Sequence, residues 1–507
     1  MALLGLQRLM SVQHEQRRRR RRVLARHRST VNERTESPSP RVSDGDSQSG
    51  TAVGYPIPHL PEDIWRHIHS LMPMCDAARA ACLSHAFLRS WRCRPRLTLT
   101  WRILCGKSLK GNFSDIIDSI LRNHSGIGSK KFELDLFDMD NTFPYINSWL
   151  QVALTPGIED LTLTLYKNCN FPCSLLFDRV RNSIRCLRLN SCVFRPKEEL
   201  GPLGSLTSLH LHYVCITGDE LECLLSNSLS LQHLDLYDCK EIITLKIPQV
   251  LQELSRLTVV ACWKLRALES KAPNLSNIHL RGKKIKLSLE CALQIKDLRL
   301  CRPNVVHYAR AELPLIMPNL ESLDIRTGDE VINTPMLPTK FLKLRDLAIS
   351  LREWSISPSY DYFSLISFLD ACPSLETLYL DVSVLVMRHE SVFGHSSHLR
   401  QLPEHHHDRL KTVEIIGFSS AKSLIELTCC LVNGAISIES ITLDTLNGSD
   451  RCSQGNITAC WPIDKAVLEE ASRAVMAIRR YIEDKVPRTA KLTVLEPCTR
   501  CHSSACG

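Results

Sequence analysis

No run of about 18 apolar residues occurs in this chain, so no transmembrane helix is expected. Catalytic signatures are missing as well. There is no GxSxG, no GxxxxGK followed by Ser or Thr, no HExxH, and no GxGxxG opening a helix. That weighs against hydrolase, nucleotide-cleaving, metalloprotease and dinucleotide chemistry. A secretory signal is also missing, because the apolar stretch Met1–Met10 precedes the arginine run, the reverse of a signal's order. Lysine is absent from residues 1–50. Eleven arginines face five acids there, so this tail holds +6 of the net +9 and the other 457 residues hold +3. The folded part therefore gives no charge argument for binding nucleic acid.

Cysteine is abundant, at 22 of 507 residues. A chain this long needs no disulfide staples in place of a core, so the thiols read as reduced, in the cytosol or nucleus, many as small buried hydrophobes. Hydrophobic residues at 44% and charged residues at 23% fit a folded protein and exclude a collagen-like, coiled-coil or wholly disordered chain. The length allows three domains or one long repeat array.

Residues 1–58 read as a basic tail and linker. Arg17, Arg18, Arg19, Arg20, Arg21 and Arg22 are unbroken, a pattern that suits either a nuclear import signal or a solvated tail. A mitochondrial reading of MALLGLQRLMSV is the alternative. Residues 29–58 are rich in Ser, Pro, Asp and Gly and cannot bury a core.

Helical patterning begins at His59. Pro61 suits a first turn, Glu62 and Asp63 suit the helix's positive end, and Ile64, Ile68 and Leu71 form one stripe. Pro73 ends that helix. Asp76 is read as capping a second through Ala77, Ala80, Ala81 and Leu83, while Leu83, Phe87 and Trp91 are read as one face of a third. Three such short helices cannot build a good core alone and should lean on a neighbour or partner. The pattern Leu60-Pro61-x-Asp63-Ile64, Ile68, Leu71-Met72-Pro73, Ala77-Ala78, Cys82-Leu83-Ser84 and Trp91 resembles an F-box. It departs from the common plant form, with Ser84-His85-Ala86-Phe87 where Ser-Arg-Arg-Trp or Ser-Lys-Arg-Trp is usual. The resemblance implies docking onto a Skp-family adaptor, and through it a cullin and a RING protein. Leu60, Pro61, Ile64, Ile68, Leu71, Met72 and Leu83 are the implied docking residues; the bland alternative is that they pack on the first repeat.

From about residue 130 the unit L-x-x-L-x-L recurs, for example at Ile158–Leu163, Leu206–Leu211, Leu231–Leu236 and Leu320–Ile325. Fourth-position markers run from Leu134 through Leu161, Leu187, Leu209, Leu234, Leu257, Ile278, Leu298, Leu323, Leu347, Leu378 and Val413 to Ile441, and ten of the twelve steps lie within the 20–29 residues of leucine-rich repeats. The long steps after Leu347 and Leu378 imply loop insertions. Alternate leucines point one way from a short strand, and no single repeat can bury them, so neighbours should stack into a parallel sheet. Cys192, Cys239 and Cys262 hold the repeat's inward Asn/Cys position. A helix within 462–485, with Val467, Ala471, Val475, Ile478 and Ile482 on one face, and a strand at 491–495 should cap the array.

The fold class is therefore α/β: a short helical F-box (59–97), a connecting region (98–130), a leucine-rich-repeat solenoid with its parallel sheet on the concave face (131–450), and a helical cap and tail (451–507). The stretches 413–446 and 473–502 resemble a grass-type plant family that joins an F-box to such a solenoid. That implies a non-catalytic substrate-recognition subunit of a Skp-cullin-F-box ubiquitin ligase, whose repeats hold an unknown protein substrate. The alternatives are a small-ligand receptor, since plant auxin and jasmonate receptors combine the same modules, and a repeat scaffold without ligase activity.

Positions alternating with the buried leucines should form the substrate face: Arg188, His210, His212, His233, Tyr237, Arg256, His279, Arg281, Arg299 and Arg326. Asp235, Asp297 and Asp324 interrupt it. The basic lean suits an acidic or phosphorylated partner. No metal set and no cofactor is read: Cys498, Cys501, His502 and Cys506 form a lone CxxC-type cluster, with Cys452 and Cys460 as distant candidates, and His395, His398 and His405–His407 read as a solvated loop. No nucleic-acid or membrane partner is expected, and the location is nuclear, cytoplasmic or both.

Overall fold

The structure, a computed structural model, describes residues 61–104, 113–125, 129–136, 145–176, 178–196, 201–330, 333–351, 360–382, 389–394, 398–401, 406–446 and 463–498. Arg17–Arg22, Leu60, His395, His405, Cys452, Cys460, Cys501, His502 and Cys506 lie outside these residues. No helix among them is long and apolar enough to cross a membrane.

Three helices come first: α1 (Glu62–Leu71), α2 (Met74–Ala81) and α3 (His85–Arg92). Two of the sequence readings need correction. Helix α2 starts at Met74, so Asp76 lies inside its first turn and pairs with Arg79 at 3.2 Å; it caps nothing. Ser84 caps α3 by accepting from the Phe87 N–H at 3.2 Å. Leu83 therefore sits in the turn before that cap and does not share a face with Trp91. It is 72% exposed, whereas Trp91 is buried.

The helices lean on the first repeat. Met74, Ala77, Ala81 and Trp91 join the continuous core. Arg94, itself buried, fastens the joint: its guanidinium donates to the carbonyls of His69 (2.5 Å), Met72 (2.6 Å) and Arg96 (3.1 Å). Two of these carbonyls close α1, where helix C-termini leave acceptors unmet.

A fifteen-stranded parallel sheet follows, running from Arg96–Thr100 to Lys491–Leu495. Chain order matches sheet order except where three short strands, Thr244–Ile247, Ala267–Ser270 and Lys286–Leu289, form a second parallel sheet. These belong to repeats that step 23, 21 and 20 residues between markers, where a short strand stands in place of a helix. Several longer repeats carry a helix, such as Gly218–Ser226, which opens with a reciprocal Thr217–Glu220 capping box. The first strand, Arg96–Thr100, straddles the boundary read between the F-box (59–97) and the connecting region (98–130); RLTLT alternates as a strand but lacks the full repeat signature.

Markers from Leu161 to Ile441 stand in register across the sheet. The first copy differs: Phe132, not Leu134, lies opposite Leu161. A two-residue slip keeps every side chain on its face, so the hydrophobic pattern cannot detect it.

Four consecutive strands turn at the same point. Ser191, Tyr213, Asp238 and Ala261, four residues after their markers, adopt φ of 56°, 57°, 48° and 57°. Such conformations are costly for non-glycine residues. The Tyr213, Asp238 and Ala261 N–H groups then donate to the next strand's end at 2.7–2.8 Å. Cys192, Cys239 and Cys262 are buried beneath these turns, and the Cys239 thiol donates to the Leu211 carbonyl at 3.3 Å.

Downstream, the cap helix spans Lys465–Tyr481, N-capped by Asp464, with Ala471, Val475 and Ile478 buried; Ile482, just past its end, is buried too. The last strand pairs with Ser440–Asp444. His407 corrects another reading. It is buried, bonds the Cys372 carbonyl at 2.8 Å, and accepts from the Leu410 N–H at 3.1 Å, so it joins repeats. His398 and His406 are exposed.

Candidate functional site

Two surfaces carry the residues singled out by sequence. On the helical unit, packing separates an inner from an outer face. Ile64 is 41% exposed, Leu71 and Leu83 are each 72% exposed, and Pro61 is exposed. Ile68 and Met72 are half-buried, and Met72 also packs against the core. The exposed leucines therefore do not pack on the first repeat. Phe87 fills the place where the common plant pattern has tryptophan, and meets Trp65 edge-on at 4.7 Å between centroids. Beside it lies His69, fully buried, its ring 5.2 Å from Phe87 and both ring nitrogens without a hydrogen-bond partner among the described residues. Burial, reinforced by Arg94, pushes its pKa down.

The second surface is the sheet face opposite the buried leucines. Register lays its residues in rows. One row reads Arg188, His210, Asp235, Thr258, His279, Arg299, Asp324; another reads Asn190, His212, Tyr237, Val260, Arg281, Cys301, Arg326. Arg256 lies between His233 and Asn277 in a third.

Charge on this face is more balanced than the sequence suggests. Asp324 holds Arg326 through two bonds at 3.0 and 2.8 Å, and Asp297 lies 3.7 Å from Arg299. Burial, with nearby Arg256 for His233 and Arg299 for His279, lowers both histidines' pKa values. Among the described residues, Arg188, Arg256 and Arg281 have no carboxylate partner. They are the cations left available.

Sequence reasoning treated Asp235 as an interruption. The structure makes it the centre of a cluster. Its Oδ2 lies 3.3 Å from His210 Nδ1 and 3.3 Å from His212 Nε2. Burial opposes its ionisation, but hydrogen bonds from both histidines outweigh that and hold the carboxyl below its usual range. The signal was present as His-x-His on one strand with Asp at the facing position of the next repeat. Tyr213 was also missed: its left-handed turn leaves it 51% exposed, with its ring 5.3 Å from Tyr237. Beneath this face a hydrogen bond to Cys262 and burial both raise the Cys239 pKa, whereas the same bond, working against burial, lowers that of Cys262.

Comparison with known proteins fits these two parts. The family profile described as At1g61320/AtMIF1, LRR domain, matches residues 120–499, and that of the F-box domain matches residues 57–98. The FBD-associated F-box protein At1g61320 of Arabidopsis thaliana is 22% identical over 352 residues, covering 65% of this chain and 75% of that protein. The putative FBD-associated F-box protein At1g61330, also from Arabidopsis thaliana, is 20% identical over 419 residues, covering 76% of this chain and 90% of that protein. Among solved structures, the Leptospira interrogans LRR protein LIC12759 aligns over 80% of this chain and 97% of its own, at 13% identity and a TM-score of 0.31. An internalin from Listeria monocytogenes aligns over 59% of this chain and 76% of its own, at 13% identity and a TM-score of 0.27. Overlaps this low carry no argument; the fold rests on the strands described above.

Proposed function

The chain belongs to the plant F-box and leucine-rich-repeat family of the At1g61320/AtMIF1 domain, and from that premise we propose that it is the substrate-recognition subunit of a Skp-cullin-F-box ubiquitin ligase. The observation that carries the proposal is the divided helical unit. One face is spent on the first repeat, while Ile64, Leu71 and Leu83 stay in water. Exposed apolar groups gathered on one small unit mark an interaction site, and F-box domains bind Skp-type adaptors. A cullin and a RING protein follow through that adaptor.

The repeats then hold a protein substrate on the open sheet face, where Arg188, Arg256 and Arg281 suit acidic or phosphorylated groups. The chain itself breaks no bond. It raises the local concentration of substrate lysines near a ubiquitin-loaded enzyme, which is catalysis by proximity. Arg17–Arg22 supply import into the nucleus, and replacing all six with alanine in a fluorescent fusion should move signal to the cytoplasm.

The test is affinity purification of the full chain from plant cells with the proteasome inhibited. Wild type should bring down a Skp-family adaptor, a cullin and ubiquitylated partners. An Ile64→Asp, Leu71→Asp variant should lose adaptor and cullin but keep the partners held by the repeats. Recovery of the adaptor by that variant would overturn the assignment.

A further inference from the structure

We propose that His210, His212 and Asp235 form a binding site for a zinc-class transition-metal ion on the open face of the sheet. Topology builds the site. His210 and Asp235 are directly paired across neighbouring parallel strands, and His212 lies two residues beyond His210 on the same face. Strands about 4.8 Å apart with side chains repeating every second residue therefore surround one point. The three ligand atoms, His210 Nδ1, His212 Nε2 and an Asp235 carboxylate oxygen, all lie within 4.8 Å of one another.

The distances favour a metal over a simple ion pair. Bonds from an imidazolium to a carboxylate usually close to about 2.7–2.9 Å. Both contacts here stand at 3.3 Å. Metal–ligand bonds of about 2.0–2.1 Å in a tetrahedron place neighbouring ligand atoms about 3.3 Å apart. Two of the three ligand-atom spacings thus match that edge, and the third lies within 4.8 Å.

Ligand chemistry narrows the ion. Two imidazoles and one carboxylate suit zinc, cobalt, nickel or copper, whereas magnesium and calcium prefer all-oxygen sets. Three protein ligands leave a fourth position open. All three residues are half-buried on the open sheet face, which leaves that position accessible to solvent. A water, or a donor from a docked partner, completes the shell. Arg188, opposite His210 in the neighbouring strand, sets an electrostatic limit on affinity.

The many thiols of this chain bind metals too, so the test must exclude them. The full chain is stripped with a chelator, its thiols are alkylated, and zinc binding is followed by calorimetry. X-ray absorption is then recorded on the wild-type zinc complex. One equivalent should bind, with a nitrogen/oxygen shell near 2.0 Å and no sulfur shell near 2.3 Å. His212→Ala and Asp235→Asn should each weaken binding at least about tenfold, while His67→Ala, exposed on the first helix, should leave it unchanged. No bound equivalent, a sulfur shell, or affinity indifferent to His212→Ala and Asp235→Asn would overturn the proposal. Because the absorption measurement uses wild type, a variant that fails to fold does not rescue it. Adaptor binding is independent of this site, so failure here leaves the ligase reading standing.

Discussion

Removing Leu71 and Leu83 together should weaken adaptor binding with little effect on folding. Fully burying a leucine side chain contributes about 1.5–3 kcal/mol. Each of these two keeps 72% of its surface in water in the free chain. Covering what remains therefore contributes about 1–2 kcal/mol per residue and about 2–4 kcal/mol for the pair. At about 1.4 kcal/mol per factor of ten, the Leu71→Ala, Leu83→Ala variant should raise the adaptor Kd roughly 30- to 1,000-fold. The same exposure means little is lost on folding, within about 0.5 kcal/mol, as for most surface changes. Titration calorimetry against a purified Skp-family adaptor measures the first quantity, and urea unfolding the second. A Kd within threefold of wild type would refute the argument that this face is covered in the complex. A large loss of stability would refute the claim that these leucines are surplus to the chain's own core.

Three further outcomes follow from the joint and the sheet face. Arg94→Ala leaves the buried carbonyls of His69 and Met72 without their donor, so it should destabilise the helical unit by about 2–4 kcal/mol, read as faster amide exchange in residues 61–92; Arg94→Lys should rescue little, lacking the fork. Burial lowers the pKa values of His69, His233, His279 and His124, which follows the helix Phe113–Asn123, below the ordinary value of about 6.5, so the unfolded chain takes up protons first as pH falls; stability should drop from about pH 6.5 downwards and level off below the folded-state pKa values. His69→Phe, which keeps the ring beside Phe87, should reduce that loss between pH 7.5 and 5.5 in thermal melts, leaving the share of the other three. Arg256→Glu with Arg281→Glu should preserve folding and adaptor binding while losing the acidic or phosphorylated partners found in wild-type purifications; an unchanged partner set would place substrate binding elsewhere.

Most of the repeat architecture was legible because its signal is a period. Alternating leucines must be buried on one side, which determines strand, register and neighbour for every marker from Leu161 to Ile441. The same logic fails where period two is degenerate, and so the first marker falls on Leu134 although Phe132 holds that register. Helix boundaries in the F-box were misread where a cap decides them. Asp76 is a capable cap by type, but Pro73 opens the second helix ahead of it, and the third helix is set by the Ser84–Phe87 bond. Arg94 was invisible because its role depends on carbonyls that converge only after the helices pack on the first strand. His407 looked like part of a polar loop, yet one ring bonded at both nitrogens can be buried at a repeat junction. Asp235 carried a local meaning, an acid among bases, that reversed once its cross-strand neighbours were known.

Size-exclusion chromatography with light scattering, on an equimolar mixture of the purified full chain and a plant Skp-family adaptor, tests the central claim most directly. The account predicts a single peak at the mass of a one-to-one complex, split into two separate peaks by Leu71→Asp with Leu83→Asp. Separate elution of the wild-type chain and the adaptor would contradict it.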